Sequence, residues 1–218
     1  MYLFDIKQIF FTLWGYPMSY LEFFGTVAGG LAVWLSARAN VWSWPLGLVN
    51  VTLCFFLFFQ VQLYPDMLLQ VFFFITNLMG WWRWLHPSPG EEDQKKELRV
   101  TRTNAKTLFW LGLTTLVVTA CFGLVASKLH TLLPAVFSLP SAFPFLDSFV
   151  TVISIAATWL MVQKRVECWA AWLMADVIAT YLYFAKGIMF VGIEYFIFCL
   201  IAAFGWWNWH QEARKYTV

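Results

Sequence analysis

Charge is what this chain has least of. Asp, Glu, Lys and Arg make up 12% of its 218 residues, against roughly 25% in a soluble domain, and most of them sit in short clusters between long apolar runs. That scarcity excludes an ordinary water-soluble domain. Signatures of catalysis are missing too: His86, His130 and His210 fall in loops or at helix ends, no Cys or His pair has metal-ligand spacing, and there is no glycine-rich phosphate loop or Ser nucleophile elbow. Neither an enzyme nor a resident cofactor is expected. The four cysteines, Cys54, Cys121, Cys168 and Cys199, lie in or beside apolar runs without close spacing. They read as small buried hydrophobes rather than disulfides or metal ligands. A net charge of +2 gives no reason to expect a nucleic-acid partner.

What is present is apolar surface, with 61% of residues hydrophobic and 21% aromatic, which defines an all-α integral membrane protein in a lipid bilayer. A bilayer-spanning helix needs about 20 mostly apolar residues. Seven stretches qualify, at about 20–37, 43–60, 66–85, 107–127, 146–163, 168–185 and 188–209. Residues 1–17 are apolar but carry Asp5 and Lys7 and stop at Gly15-Tyr16-Pro17. They are predicted to form a helix lying in the membrane interface, without the basic start and cleavage site of a secretory signal.

The chain also repeats itself. Gly80-Trp81-Trp82-Arg83-Trp84 and Gly205-Trp206-Trp207-Asn208-Trp209 are separated by 125 positions, and the same offset pairs Trp34 with Trp159, Trp44 with Trp169, Phe73 with Phe198 and Glu22 with Asp147. Five aligned tryptophan pairs and a glycine predict a duplicated unit covering residues 20–85 and 145–209. Three spans in each unit and one between them, after a linker, in residues 86–127, make the two repeats parallel. This 3+1+3 plan puts a pseudo-twofold axis along the membrane normal, as in transporters whose halves rock about a central site.

Lys and Arg gather on one side of these spans, at Arg38, Arg83, Lys95, Lys96, Arg99, Arg102, Lys106, Lys164, Arg165, Arg214 and Lys215, and only Lys7, Lys128 and Lys186 fall on the other. Cytoplasmic loops retain positive charge, so the N-terminus is expected outside, with the tail from 210 to 218 in the cytoplasm. The mixed-charge stretch Glu91 to Lys106 reads as a solvated cytoplasmic linker. Arg38 and Lys164-Arg165 suit helix ends and headgroups, and the tryptophans at 81, 82, 84, 206, 207 and 209 suit an aromatic belt. Glu22 and Asp147 stand where a helix dipole favours a carboxylate.

The candidate site lies in the polar residues inside the spans, since a charge there is costly and normally faces a cavity or a partner. Trp169, Trp172, Asp176 and Tyr183 share one face of the sixth span. Asp176 is about 12 Å in from the end of that span at 1.5 Å per residue, near the middle of a roughly 30 Å core. The seventh span adds Glu194, Tyr195 and Phe198, the third Gln70 and Asn77, and the second Asn50. Packing hydrogen bonds between helices are the alternative role for Asn50 and Asn77.

Phe59-Gln60-Val61-Gln62-Leu63-Tyr64, Leu68-Leu69-Gln70-Val71-Phe72-Phe73-Phe74, Asn77 and Gly80-Trp81 resemble the third-span region of nicotinamide riboside transporters of the PnuC type. Phe143-Pro144-Phe145 with Asp147-Ser148, Trp169-x-x-Trp172 and Glu194-Tyr195 resemble the second half of the same family. The resemblance spans about residues 20 to 209. It implies a seven-helix, SWEET-like fold in a bacterial inner membrane, a homotrimer, and facilitated diffusion of nicotinamide riboside trapped by cytoplasmic phosphorylation. It further implies a substrate among the third, sixth and seventh spans, touched by Trp169, Trp172, Gln70 and Tyr195. The residues suit that ligand, because aromatic faces attract a desolvated cationic ring by about 2 kcal/mol or more and Asp176 or Glu194 complements its charge. Thiamine or riboflavin transport, and a receptor that binds without transport, are the alternatives.

Overall fold

The computed structural model describes residues 5–13, 15–60, 64–132, 143–185 and 189–216. Among these described residues two short strands, β1 (Ile9–Leu13) and β2 (Tyr16–Ser19), precede seven helices: α1 (Tyr20–Ala37), α2 (Ser43–Gln60), α3 (Tyr64–Leu85), α4 (Ala105–Leu132), α5 (Pro144–Val162), α6 (Cys168–Ala185) and α7 (Met189–Arg214). Every expected span is a helix within a few residues of its expected bounds. Among the described residues, α1, α2, α4, α5 and α6 are long and apolar enough to cross a membrane. The other two, α3 and α7, hold the third- and seventh-span candidates Gln70, Asn77 and Glu194 together with Arg83, Asn208 and Gln211, and those polar groups dilute their apolar character.

The chain divides into two compact units, Met1–Arg99 and Val100–Val218. In the first, α2 packs on both α1 and α3. In the second, α5 packs on α4 and α6, and α6 on α7.

The N-terminal segment is not the interfacial helix expected of it. It is an antiparallel hairpin, with Leu13 opposite Tyr16 across a two-residue turn, and Gly15 takes that turn at φ +86°, a left-handed angle that glycine adopts without a Cβ clash. Ile9, Phe11 and Thr12 favour strands. A bulge between Ile9 and Phe11 lets the Phe10 ring contact Tyr20 at 4.8 Å and Phe23 at 5.0 Å on the first turn of α1. The Ile6 N–H donates to Gln60 Oε1 at 2.9 Å, tying the hairpin to the end of α2.

Helix α1 begins with a capping box. Ser19 Oγ accepts from the Glu22 N–H at 3.2 Å, and Glu22 Oε2 accepts from the Ser19 N–H at 2.8 Å, so two otherwise unpaired donors are satisfied reciprocally. Tyr16 donates its hydroxyl to the other oxygen of Glu22 at 2.6 Å. In α5, Pro144 occupies the first turn instead, with Asp147 beside it.

The α1–α2 and α5–α6 turns follow the same hydrogen-bond scheme. Ala39 donates to the Ser36 carbonyl and Asn40 to Leu35, then Ser43 to Asn40 and Trp44 to Val41; Lys164 donates to Met161 and Arg165 to Leu160, then Cys168 to Arg165 and Trp169 to Val166. Ala39 and Lys164 sit at φ 53° and 52°, the left-handed position that closes a Schellman turn. Each turn delivers a tryptophan, Trp44 or Trp169, to the start of the next helix.

Those two indoles lie against glycine. A Cβ on Gly80 would stand 2.3 Å from the Trp44 ring, and one on Gly205 would stand 2.6 Å from the Trp169 ring. Trp84 meets Trp44 edge-on at 5.2 Å and 88°, and Trp209 meets Trp169 at 5.6 Å and 85°. The belt expectation therefore divides: Trp82 and Trp207 are largely exposed, whereas Trp84 and Trp209 are both 0% exposed and belong to the core.

The linker is likewise more ordered than a solvated connection. Its first part folds back on α3, with the Arg83 guanidinium 2.6 Å from the Glu91 carboxylate and the Leu98 N–H on the Trp84 carbonyl at 2.9 Å. Beyond Arg99 it pairs with the α5–α6 turn, the Thr101 N–H donating to Lys164 and the Thr101 carbonyl accepting from Val166. Arg165 donates to Thr101 Oγ1 at 2.8 Å. Leu98 and Val100 are buried, and so is Lys164, which therefore does not face headgroups. The aliphatic side chains are buried while Glu92, Lys95, Lys96, Arg102 and Lys106 stay exposed, so order here costs the charges little solvation. Arg38 lies over its neighbour Trp34, 5.2 Å from the ring centroid.

Gly80→Ala and Gly205→Ala are each expected to lower stability by about 1–3 kcal/mol through overpacking against the indole, read as lower unfolding temperatures in detergent. A pH effect is expected at Arg83–Glu91. The Arg83 hydrogen bond holds the Glu91 carboxyl below its ordinary range, so its contribution is present above the unfolded pKa of about 4.3 and is lost as pH falls through the lowered value. The stability gap between wild type and Glu91→Gln, measured from pH 7 downwards, should close over that acidic window.

Candidate functional site

In the second unit the fold gathers a polar cluster between α6 and α7. Asp176 is 5% exposed. One turn on, Thr180 donates its hydroxyl to the Asp176 carbonyl at 2.7 Å and lies 4.0 Å from Cys199 Sγ on α7. A further turn along α6, Tyr183 stacks on Tyr195 of α7, with ring centroids 5.2 Å apart and planes 13° from parallel. Tyr195 directly follows Glu194, which is half-buried on α7. Phe198 closes on Tyr195 edge-on at 6.0 Å and 83°.

The two tryptophans of the α6 face take different positions. Trp172 packs on the cluster of Ile153, Ala157, Ala171 and Ala175. Trp169, 1% exposed, is held between Gly205 and Trp209 as described above. Both indole nitrogens are buried and lack a hydrogen-bond partner among the described residues.

Asn50, Gln70 and Asn77 stand in the first unit. Asn50 donates Nδ2 to the Gly25 carbonyl at 2.8 Å and so clips α2 to α1. A Cβ on Gly29 would meet that amide at 2.8 Å, so the small residues of α1 make room for it. Asn77 donates to the Phe73 carbonyl one turn back at 2.8 Å, with its oxygen against Gly47, where a Cβ would stand 2.1 Å away. Gln70 lines a groove of about 230 Å³ with Val51, Thr52, Phe55, Phe56, Val71 and Phe74.

Thr180 and Cys199 were not singled out by the sequence. A threonine in an apolar helix commonly bonds its own backbone one turn back, and Thr52, Thr76, Thr151 and Thr158 do so here. Only the facing register of α6 and α7 sets Thr180 apart from them. For Asp176, Glu194 and the paired tyrosines, position within an apolar run was sufficient signal.

In chemical terms the α6–α7 cluster offers two carboxylates and stacked phenol faces. Neither α6 nor residues 189–209 of α7 contain Lys, Arg or His. The arrangement favours an aromatic, cationic solute over an anionic one.

The fold defines a polytopic α-helical membrane protein. Residues 19–211 match the family described as nicotinamide mononucleotide transporter, and the chain belongs to that family of membrane transporters. It is 35% identical over 217 residues to the nicotinamide riboside transporter PnuC of Escherichia coli (strain K12), covering 92% of this chain and 89% of the relative. It is 26% identical over 205 residues to the riboflavin/roseoflavin transporter RibM of Streptomyces davaonensis, covering 94% and 91%. Its fold is similar to the crystal structure of the vitamin B3 transporter PnuC, with a TM-score of 0.67 at 20% identity over 91% of this chain and 83% of that one.

Asn50→Ala should lower stability by about 0.6–1.7 kcal/mol, the range for one hydrogen bond between membrane helices. Unfolding in detergent checks this.

Proposed function

We propose that this protein takes up nicotinamide riboside by facilitated diffusion through a bacterial inner membrane, with cytoplasmic phosphorylation as the metabolic trap. The observation that carries the reading is the α6–α7 cluster: the Tyr183–Tyr195 stack, with Asp176 two turns before Tyr183 on α6 and Glu194 next to Tyr195 on α7, in helices with no basic residue at that depth. A pyridinium ring is attracted by such a site. A phosphorylated mononucleotide brings negative charge to two carboxylates and is repelled, so the riboside rather than the mononucleotide is the solute. The 35% identical PnuC relative points the same way.

The substrate-binding residues in this reading are Trp169, Trp172, Asp176, Tyr183, Glu194, Tyr195 and Phe198, with Asn50, Gln70 and Asn77 from the first unit. Trp169 contributes through the framework, since its ring is enclosed by Gly205 and Trp209. The protomer is read as seven spans in a 3+1+3 arrangement of parallel repeats, assembled as a homotrimer with the N-terminus outside. Supporting the duplication, α2 and α6 begin and end 125 residues apart, and their preceding turns share one hydrogen-bond scheme.

The test combines binding and flux. Calorimetry on purified protein should give heat with nicotinamide riboside and none with the mononucleotide, and Asp176→Asn and Tyr195→Ala should each weaken binding by about tenfold or more, or about 1.4 kcal/mol. Proteoliposomes should exchange the riboside at a rate indifferent to a pH gradient. Binding without flux would convert the reading to a receptor. Selective heat with riboflavin, the solute in RibM's name, or with thiamine would replace the substrate, and unchanged affinity in both variants would discard the site.

A further inference from the structure

The last turns of α7 carry a second cluster, apart from the α6–α7 site and opposite to it in charge. Arg102, in the segment leading into α4, donates its guanidinium to Nε2 of His210. That ring must then carry its proton on Nδ1, yet Nδ1 is buried and has no partner among the described residues. The next residue, Thr103, is fixed by its N–H on the Glu167 carboxylate at 2.9 Å, and its hydroxyl is also buried without a partner. Arg165 donates to the Arg102 carbonyl at 3.0 Å, which holds the backbone from which Arg102 projects. Arg214 lies one turn beyond His210, and the charges of Arg102, Arg214 and Glu167 all reach that ring.

Arg102, Arg165 and Arg214 thus bring three guanidinium groups to this end of the second unit, where Glu167 is held by the Thr103 N–H and Glu212 by Lys215, and among the described residues none of the three is ion-paired. Buried donors without acceptors are rare in folded proteins and call for a cause. An anion with several acceptor oxygens supplies one, since guanidinium forks match tetrahedral phosphate geometry and a flanking imidazole N–H and hydroxyl can take the remaining oxygens. Four residues before His210 on the same face, Trp206 is 40% exposed, and an exposed tryptophan at the end of an apolar helix suits the headgroup region.

We propose that Arg102, Thr103, His210 and Arg214 form a binding site for a phosphate group, borne by a lipid headgroup or by a soluble phosphate ester. It is independent of the solute carried between α6 and α7.

Full-length protein in neutral detergent is titrated separately with dioleoylphosphatidylglycerol, inorganic phosphate and oleic acid, and binding is followed by native mass spectrometry and thermal unfolding. Two variants test the site: the double substitution Arg102→Gln with Arg214→Gln, and His210→Ala, which keeps both guanidiniums and guards against misfolding of the first. Lys215→Gln is the control, because Lys215 is already paired with Glu212 at 2.7 Å. Wild type and Lys215→Gln are expected to bind a phosphate-bearing ligand, with Kd rising about tenfold or more in both site variants. Binding of phosphatidylglycerol that phosphate does not displace assigns the headgroup; saturation by phosphate with displacement of the lipid assigns a soluble ester. Equal affinity for oleic acid and phosphatidylglycerol, or unchanged Kd in both site variants, overturns the proposal.

Discussion

An indole pressed against a glycine and closed from the side by a second indole is the contact on which each unit depends. Between membrane helices the apolar side chain gains little by leaving lipid for protein, so association rests on close packing at small residues. Trp44 on Gly80, and Trp169 on Gly205, place a large rigid surface where only the backbone stands opposite. Trp84 and Trp209 then seal the edge. The start of one helix is fixed to the end of the next in this way, and the polar residues farther along both helices inherit their register from it.

That register explains why the polar cluster forms in the second unit. With α6 held at its tryptophan, Asp176, Thr180 and Tyr183 fall at successive turns facing α7, where Tyr195 and Cys199 receive them. At the corresponding places 125 residues earlier the chain has Val51, Phe55, Phe58, Gln70 and Phe74, and four of these line the apolar groove of the first unit. In the proposed duplication, the second unit thus has its polar cluster where the first has a mostly apolar groove.

How much of this was readable in advance follows from which forces act locally. The helices were legible because a bilayer demands long apolar runs, and the aligned tryptophans because Trp and Gly are too rare to coincide by chance at one offset. Asp176 and Glu194 stood out because ionisable groups are scarce in such runs. The hairpin was not legible, since its residues are as apolar as an interfacial helix, and what decides the matter is Gly15 in a left-handed turn and Gln60 capturing Ile6 from 54 residues away. The linker misled for a related reason. Its charged composition describes one face, while Leu98, Val100 and Thr101 find their partners on helix ends that no local pattern announces. Lys164 and Trp84 were likewise assigned to the surface by residue type, and burial by neighbouring elements reverses both.

The pairing of Thr101 with the α5–α6 turn also bears on how the chain is made. Its backbone partners, Lys164 and Val166, and the guanidinium of Arg165 that reaches its hydroxyl are synthesised only after α4 and α5 have been completed. Until then the N–H and carbonyl of Thr101 have no protein partner, and water must hold them, since lipid cannot. A segment rich in charge keeps this strand at the aqueous boundary during the wait. Its composition thus serves assembly as well as the finished fold: it keeps a sticky edge wet until the turn that will cover it emerges.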